Sequence, residues 1–232
     1  MNPNALKALR QHLETLNRSG CDVAYGLADS KENPAGALLA DKTSAVGKKE
    51  RLNALRAKVM PCVKCSELVS KRTHVVFGSG NADAELVFVG EAPGYEEDAQ
   101  GLPFVGPAGQ LLTKIIESIG LKREEVFICN VLKCRPPGNR NPLPEEINNC
   151  GQYLAEQLEI IQPKIVCALG TFAAQTLLKT SSSISSLRGR FSDYNGVQLM
   201  CTFHPAYLLR NPSEKRKVWE DMKMIRAQLG RK

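Results

Sequence analysis

The chain has 232 residues, of which 43% are hydrophobic and 24% are charged, an ordinary composition for a globular protein with one sizeable core. Lys and Arg outnumber Asp and Glu by 31 to 24, and the net charge of +7 mildly favours a polyanionic partner. No apolar run has the 18 or so residues typical of a membrane span, and the first residues show no signal-peptide core. We therefore expect a cytoplasmic protein without membrane contact, whose eight cysteines are reduced thiols or metal ligands rather than disulfides.

Residues 1–48 are predicted to form an appendage to the main domain, which we expect over residues 49–232. The appendage begins with a short amphipathic helix, which ends at Ser19 and Gly20. Its apolar positions recur every three or four residues: Leu6, Leu9, Leu13 and Leu16. A flexible linker without a sustained period follows. The helix either packs on the main domain or docks a protein partner.

Apolar runs alternate with amphipathic helices through the main domain. Strands are predicted over residues 86–89, 126–132, 164–169 and 197–203, with an edge strand within 75–80. Helices are predicted over residues 48–59, 111–119, 144–161, 172–178 and 214–228. Strands that alternate with helices at these spacings predict a three-layer α/β/α sandwich with a central, mainly parallel, four-stranded sheet.

Three of the predicted strands end in or near a glycine or a polar residue. The loop GEAPG, which begins with Gly90 and Glu91, follows the first strand, Asn130 lies in the second, and His204 follows the last. Carboxyl ends of parallel strands share one edge of a sheet, so these residues can converge on one pocket. Asn130 offers both a donor and an acceptor to a base edge, and Phe104 lies in a glycine-flanked loop that suits stacking on a planar ring. An ordinary strand-to-helix connection and a buried loop anchor are the alternatives.

Four acidic residues lie beside the glycine loop: Glu91, Glu96, Glu97 and Asp98. Carboxylates in a closed pocket can orient a water molecule or have a raised pKa. Acids at a helix N-terminus more commonly complement the helix dipole. The sequence leaves both interpretations open.

Four of the eight cysteines are candidate metal ligands. Cys62 and Cys65 form a C-x2-C pair, Cys134 lies in a proline-rich loop over residues 133–142, and Cys150 lies in the helix that follows. The other four lie in the linker or in apolar runs, where a thiol behaves as a small hydrophobic group. Four thiolates suit structural zinc or an iron–sulfur cluster equally well, so spacing does not choose between them.

Taken together, these residues and four long motifs resemble the family 4 uracil-DNA glycosylases, the iron–sulfur branch of the uracil-DNA glycosylase superfamily. The matching segments are GEAPGYEED, GLPFVGPAG, ICNVLKCRPPGNRNP and HPAYLLR. The likeness runs from about residue 52 to residue 229. It implies a monomeric DNA repair enzyme that flips deoxyuridine out of DNA and hydrolyses its N-glycosidic bond, leaving an abasic site.

The resemblance also implies a [4Fe-4S] cofactor and a uracil pocket. Cys62, Cys65, Cys134 and Cys150 would hold the cluster in a structural role. The pocket would be lined by Gly90, Glu91, Ala92, Gly94, Phe104, Asn130 and His204.

Individual roles follow from the same resemblance. Phe104 would stack on the flipped uracil, Asn130 would hydrogen-bond its O4 and N3 edge, and His204 would donate to O2, where negative charge develops on the departing base. Leu208, with Arg210 in the same segment, would fill the gap that the extruded nucleotide leaves in the duplex.

The group that activates water is not implied by the resemblance. The best-known branch of the superfamily has an aspartate where this chain has Ala92, so the candidates are Glu97 first and Glu91 second. The alternative is leaving-group stabilisation with little help from a general base. CRPPGNRNP contains no histidine of the kind with which a related branch cross-links itself to DNA, so we expect turnover rather than covalent trapping.

The alternatives are a non-catalytic iron–sulfur or zinc DNA-binding module and, with less support, a redox iron–sulfur protein.

Overall fold

The structure is a computed structural model that describes residues 47–231, so the predicted N-terminal helix and most of the predicted linker lie outside the described residues. The strands of this part are β1 Ser79–Gly80, β2 Leu86–Gly90, β3 Phe127–Asn130, β4 Ile165–Leu169, β5 Phe191–Tyr194 and β6 Val197–Thr202. The helices are α1 Lys48–Val59, α2 Ser66–Lys71, α3 Tyr95–Gln100, α4 Pro107–Ser118, α5 Pro144–Ile161, α6 Thr171–Leu178, α7 Ile184–Leu187, α8 Pro205–Arg210 and α9 Lys215–Gln228. Within residues 47–231, no helix is long and apolar enough to cross a membrane.

The sheet contains four inner parallel strands and two short antiparallel edge strands, in the order β1-β3-β2-β4-β6-β5. The parallel centre confirms the prediction of a mainly parallel sheet, but the sheet has six strands rather than four. Every residue of β2 and β4 is buried, because helices cover both faces of the parallel strands. Such strands appear in a sequence as continuous apolar runs, which is why the inner four were predictable.

The missed edge strand β5 pairs with β6 through a two-residue hairpin turn. Asn195 and Gly196 occupy this turn with φ angles of 51° and 84°. Asn-Gly is the sequence that favours a type I′ turn, whose twist matches that of the flanking strands. The signal for β5 was therefore present, although polar Ser192 and Asp193 interrupt the apolar pattern around it.

Both faces of the sheet are covered, which confirms the three-layer sandwich. Val87 and Val89 belong to the apolar core that contains residues of α1, α5 and α6. Leu86 and Phe88 belong to the core on the opposite face, with residues of α4 and α9. The alternation of side chains along β2 thus contributes to both cores.

The register of the inner strands brings the predicted site residues to one edge of the sheet. Gly90 and Asn130 are direct partners across β2 and β3, and the chain continues beyond them with Val131 N–H donating to the Gly90 carbonyl at 2.9 Å. His204 follows the end of β6 by two residues and caps α8. The carboxyl edge of the sheet therefore carries the residues that the sequence singled out.

Candidate active site

A cavity of about 410 Å³ opens at this edge of the sheet. Its lining comes from the glycine loop, the loop before α4, the end of β3, the proline-rich loop and α8: Glu91, Ala92, Pro93, Gly94, Glu97, Phe104, Ala108, Asn130, Pro136, Asn139, Arg140, His204, Ala206, Tyr207 and Arg210. The structure thus brings most of the expected pocket residues together. Gly90 is the one expected pocket residue that does not line it, and Leu208, which was expected to enter the duplex, does not line it either.

Gly90 contributes to the cavity by having no side chain. A Cβ atom at this position would lie 2.6 Å from Phe104 Cζ and would also collide with Asn130 Oδ1. Phe104 is itself buried and adopts a φ of 52°, an uncommon value for a bulky residue. Strain of this kind persists where surrounding structure holds it and clusters at functional sites. The Phe104 ring is therefore fixed against the ends of β2 and β3.

Asn130 carries an unsatisfied polar atom in this cavity. Its side chain is 1% exposed, and Oδ1 has no hydrogen-bond partner within the described part of the chain. Buried polar atoms in native proteins are nearly always paired with protein groups or water. An orphaned acceptor that lines a cavity indicates a site for a donor on a ligand.

His204 faces the cavity as a neutral hydrogen-bond donor. Its Nδ1 accepts a hydrogen bond from Ala206 N–H at 3.1 Å, which places the ring proton on Nε2. Burial, aided by the positive charge of Arg210, lowers the pKa of His204 to about 4, although Glu97 acts in the opposite direction. The imidazole is therefore uncharged near neutral pH. Its ring centroid lies 5.6 Å from that of Phe104.

Glu97 holds two loops of the cavity together. Its carboxylate accepts hydrogen bonds from Gly94 N–H at 3.1 Å, Val105 N–H at 2.8 Å and Gly106 N–H at 3.0 Å. The glycine loop and the loop that carries Phe104 are thus joined through one side chain. The other strong candidate, Glu91, is half-buried on the cavity wall, and burial raises the pKa of its carboxyl group.

The other two acids near the glycine loop do not line the cavity. Glu96 is exposed on α3. Asp98 is buried and accepts hydrogen bonds from Thr73 N–H at 2.9 Å and His74 N–H at 3.2 Å. Asp98 therefore ties α3 to the segment that follows α2.

Helix α8 buries Leu208 in the core of the protein. Leu208 is 1% exposed and belongs to the core shared with α4 and α9, whereas its neighbours Tyr207 and Leu209 are 36% and 47% exposed. The expectation that Leu208 enters the duplex is inconsistent with this burial. The helical rotation decides it, because consecutive helix residues point about 100° apart.

The four cysteines that were expected to bind a metal lie together between α1, α2, the proline-rich loop and α5. Three of the four sulfurs accept a hydrogen bond from a side chain: Cys134 from Arg72 Nη1 at 3.0 Å, Cys62 from the Tyr153 hydroxyl at 3.4 Å, and Cys65 from Asn149 Nδ2 at 3.6 Å. Such donors stabilise thiolate sulfur. Burial raises the pKa of the Cys65, Cys134 and Cys150 thiols, to about 11 for Cys150.

Within residues 47–231, no group of three His, Cys, Asp or Glu side chains is arranged as a ready-made metal site. Four thiols suit structural zinc and an iron–sulfur cluster alike, so the sulfur atoms do not choose between them.

An ion-pair network joins the cavity to the cysteine group. Arg140, on the cavity wall, donates to Glu146 on α5 at 2.7 and 3.0 Å and to Glu67 on α2 at 2.7 Å. Glu146 also accepts from Leu143 N–H. The proline-rich loop is thus fastened to the two helices that flank the cysteines.

Comparisons with known proteins identify the family of this chain. A family model described as the uracil DNA glycosylase superfamily matches residues 77–223. The type-4 uracil-DNA glycosylase of Archaeoglobus fulgidus is 44% identical over 191 residues, or 79% of this chain and 96% of its own length. That of Thermotoga maritima is 46% identical over 184 residues, or 78% of this chain and 95% of its own length. The chain belongs to the type-4 branch of the uracil-DNA glycosylase superfamily.

Membership of the uracil-DNA glycosylases confirms the resemblance that the four motifs indicated. The matched residues include β2, β3, β4 and β6, and with them every expected pocket residue. Sequence reasoning missed the buried residues that position the site, above all Lys133 and Gln157. Lys133 follows the apolar strand run directly, and a lysine at a strand end gives no sign of whether it is buried.

Proposed function

We propose that this protein excises uracil from DNA by hydrolysing the N-glycosidic bond of an extruded deoxyuridine, which leaves an abasic site. The observation that carries the proposal is the unpaired Asn130 Oδ1 in a cavity shared with Phe104 and His204. A planar base with a donor and an acceptor on adjacent atoms satisfies this arrangement. Uracil has such an edge in its N3–H and O4.

Asn130 would select the base. Its Oδ1 would accept from uracil N3–H while its Nδ2 donates to O4. Cytosine presents an unprotonated N3 and an amino group at the same places, so both hydrogen bonds would be lost. A site whose buried polar groups are left unpaired rejects the wrong ligand strongly. Phe104 would stack on the face of the base and restrict it to one plane.

His204 would stabilise the leaving group. Negative charge develops on uracil O2 as the bond to the sugar breaks, and a fixed donor aimed at that atom lowers the barrier. Because Nδ1 is occupied by Ala206 N–H, the Nε2 proton is the one available. The lowered pKa means that His204 donates a hydrogen bond without first having to lose or gain a proton at neutral pH.

Glu91 would orient or deprotonate the attacking water. Its pKa is raised by burial, which makes the carboxylate a better base near neutral pH. Glu97 already accepts three backbone hydrogen bonds, so we assign it to holding the loops. Glu91 thus becomes the first candidate for activating water and Glu97 the second, the reverse of the order expected from the sequence. Ala92, also on the cavity wall, has no group that could take this part.

Leu209 would be the side chain that fills the gap in the duplex. It is exposed on α8 beside Arg210, which lines the cavity and could contact a phosphate. An apolar side chain that enters the base stack offsets part of the cost of flipping a nucleotide. Leu208 would support this helix from within the core.

Cys62, Cys65, Cys134 and Cys150 would hold a [4Fe-4S] cluster. The cluster would act as a structural link between the proline-rich loop and α5. Metal, sulfide and visible-absorption analysis of the protein purified without oxygen tests this assignment. We expect stoichiometric iron and sulfide, lost in Cys134→Ser and retained in Cys167→Ser, a buried cysteine of β4. Zinc without iron would contradict it.

The function itself is tested on an end-labelled oligonucleotide with one deoxyuridine. Alkali after incubation with the protein should break the strand at that position. Asn130→Ala and His204→Ala should each lower the rate at least about 100-fold, the scale of losing a transition-state donor. Asn148→Ala, at an exposed position of α5, is the matched control and should retain full activity.

The same experiment distinguishes a glycosylase from a non-catalytic DNA-binding module. Such a module would bind the oligonucleotide but never break the strand, in single-stranded or duplex substrate. A break that Asn130→Ala and His204→Ala leave unchanged would refute the proposed pocket.

A further inference from the structure

Lys133 has an ionisable side chain in the protein interior. It is 1% exposed. Its Nζ donates to two uncharged oxygens, the Asn130 carbonyl at 2.7 Å and Gln157 Oε1 at 2.6 Å. A buried polar group is costly unless its hydrogen bonds are satisfied. Lys133 therefore depends on the two groups that it also holds together.

The backbone of Lys133 is engaged as well. Its carbonyl accepts a hydrogen bond from Val76 N–H at 2.7 Å. Gln157, fully buried two turns after Cys150 on α5, donates its Nε2 to the Phe77 carbonyl at 2.8 Å. Lys133, three residues after Asn130 and directly before Cys134, is thus held to α5 and to the segment before β1.

We infer that Lys133 is a positioning residue that fixes Asn130 for base recognition by clamping its carbonyl to Gln157. The inference rests on the proposed function. Asn130 ends β3, and β1 pairs only with Phe127 and Ile128 of that strand. Lys133 Nζ supplies a hydrogen bond to the Asn130 carbonyl, which β1 does not reach. It does not touch the base, so its effect on the reaction passes through Asn130.

Lys133→Met is the primary variant, because methionine is unbranched and nearly as long as lysine but has no amino group. We expect kcat/KM for deoxyuridine excision to fall about 10- to 100-fold, the scale of a misplacement near 1 Å in an active site. Inhibition by free uracil should weaken in parallel, because it reports the Asn130 contact without the chemical step. Lys49→Met, at an exposed position of α1, is the matched control and should match the wild type in both measurements.

A double-variant cycle separates positioning from general damage to the fold. If Lys133 acts through Asn130, adding Lys133→Met to Asn130→Ala should lower the single-turnover rate by less than about threefold. A purely structural role predicts that the two losses multiply. Full activity and normal uracil inhibition in Lys133→Met would also overturn the inference.

Gln157→Met covers the case in which Lys133→Met does not fold. This variant removes the Gln157 Oε1 acceptor and leaves the lysine in place. Like Lys133→Met, it should weaken inhibition by free uracil. Unchanged uracil inhibition in a folded Gln157→Met protein would overturn the inference. The wild-type protein distinguishes failure of this inference from failure of the proposed function. If the wild-type protein does not release uracil, the proposed function is refuted, whatever the variants do.

Discussion

The two adjacent leucines of α8 give the sharpest test of how this protein engages a duplex. Leu208 is 1% exposed within the core between α4 and α9, and Leu209 is 47% exposed. Leu208→Ala should cost about 2–5 kcal/mol of unfolding free energy, as buried leucine truncations do. For a domain of this size the melting temperature should fall by about 5–15 °C. Leu209→Ala should change stability by less than about 0.5 kcal/mol.

The effect on activity should show the opposite pattern. Extruding a nucleotide costs a few kcal/mol, and an inserted side chain that repays about 1.5–3 kcal/mol is worth roughly 10- to 100-fold in rate. Leu209→Ala should therefore lower kcat/KM on duplex DNA by that factor and leave single-stranded substrate nearly unaffected.

Thermal unfolding and excision kinetics on matched single-stranded and duplex oligonucleotides measure both effects. The reasoning is refuted if Leu209→Ala affects both substrates equally. It is also refuted if Leu208→Ala impairs only duplex cleavage at an unchanged melting temperature.

Three further predictions test the cavity. Because the pKa of His204 is lowered to about 4, excision should show no loss from protonation of His204 between pH 8 and pH 5 and should fall as pH approaches 4. In the unfolded chain this histidine is protonated below about pH 6.5, whereas in the folded protein it stays neutral down to about pH 4. The free energy of unfolding should therefore decrease as the pH falls through this range, and His204→Gln should make it less dependent on pH there. Gly90→Ala should reduce excision by at least about 100-fold, because its Cβ would lie 2.6 Å from the Phe104 ring, and a normal rate would show that the ring can move. Glu91→Gln should lower kcat with little change in melting temperature, whereas Glu97→Gln should lower the melting temperature; the reverse result would restore the order expected from the sequence.

The sequence predicted well where a short pattern carries the whole signal. The inner strands are buried on both faces and so form unbroken apolar runs, and helix α5 was predicted with its observed bounds, from Pro144 to Ile161. The motifs around Gly90, Asn130 and His204 identified the family and most of the cavity wall, because each motif is local. Edge strands were less predictable, because half of their surface faces solvent and their pattern is short.

The roles within the site depended on distances between residues remote in sequence. Whether Leu208 or Leu209 reaches solvent is a matter of helix rotation against the core. The Glu97 carboxylate accepts its backbone hydrogen bonds only because the glycine loop and the loop that carries Phe104 meet in the folded protein. Lys133 is engaged with Gln157, 24 residues away, and the sequence contains no sign of that contact. Composition and motifs thus determined the fold and the chemistry, and only tertiary packing decided which side chains are free to act.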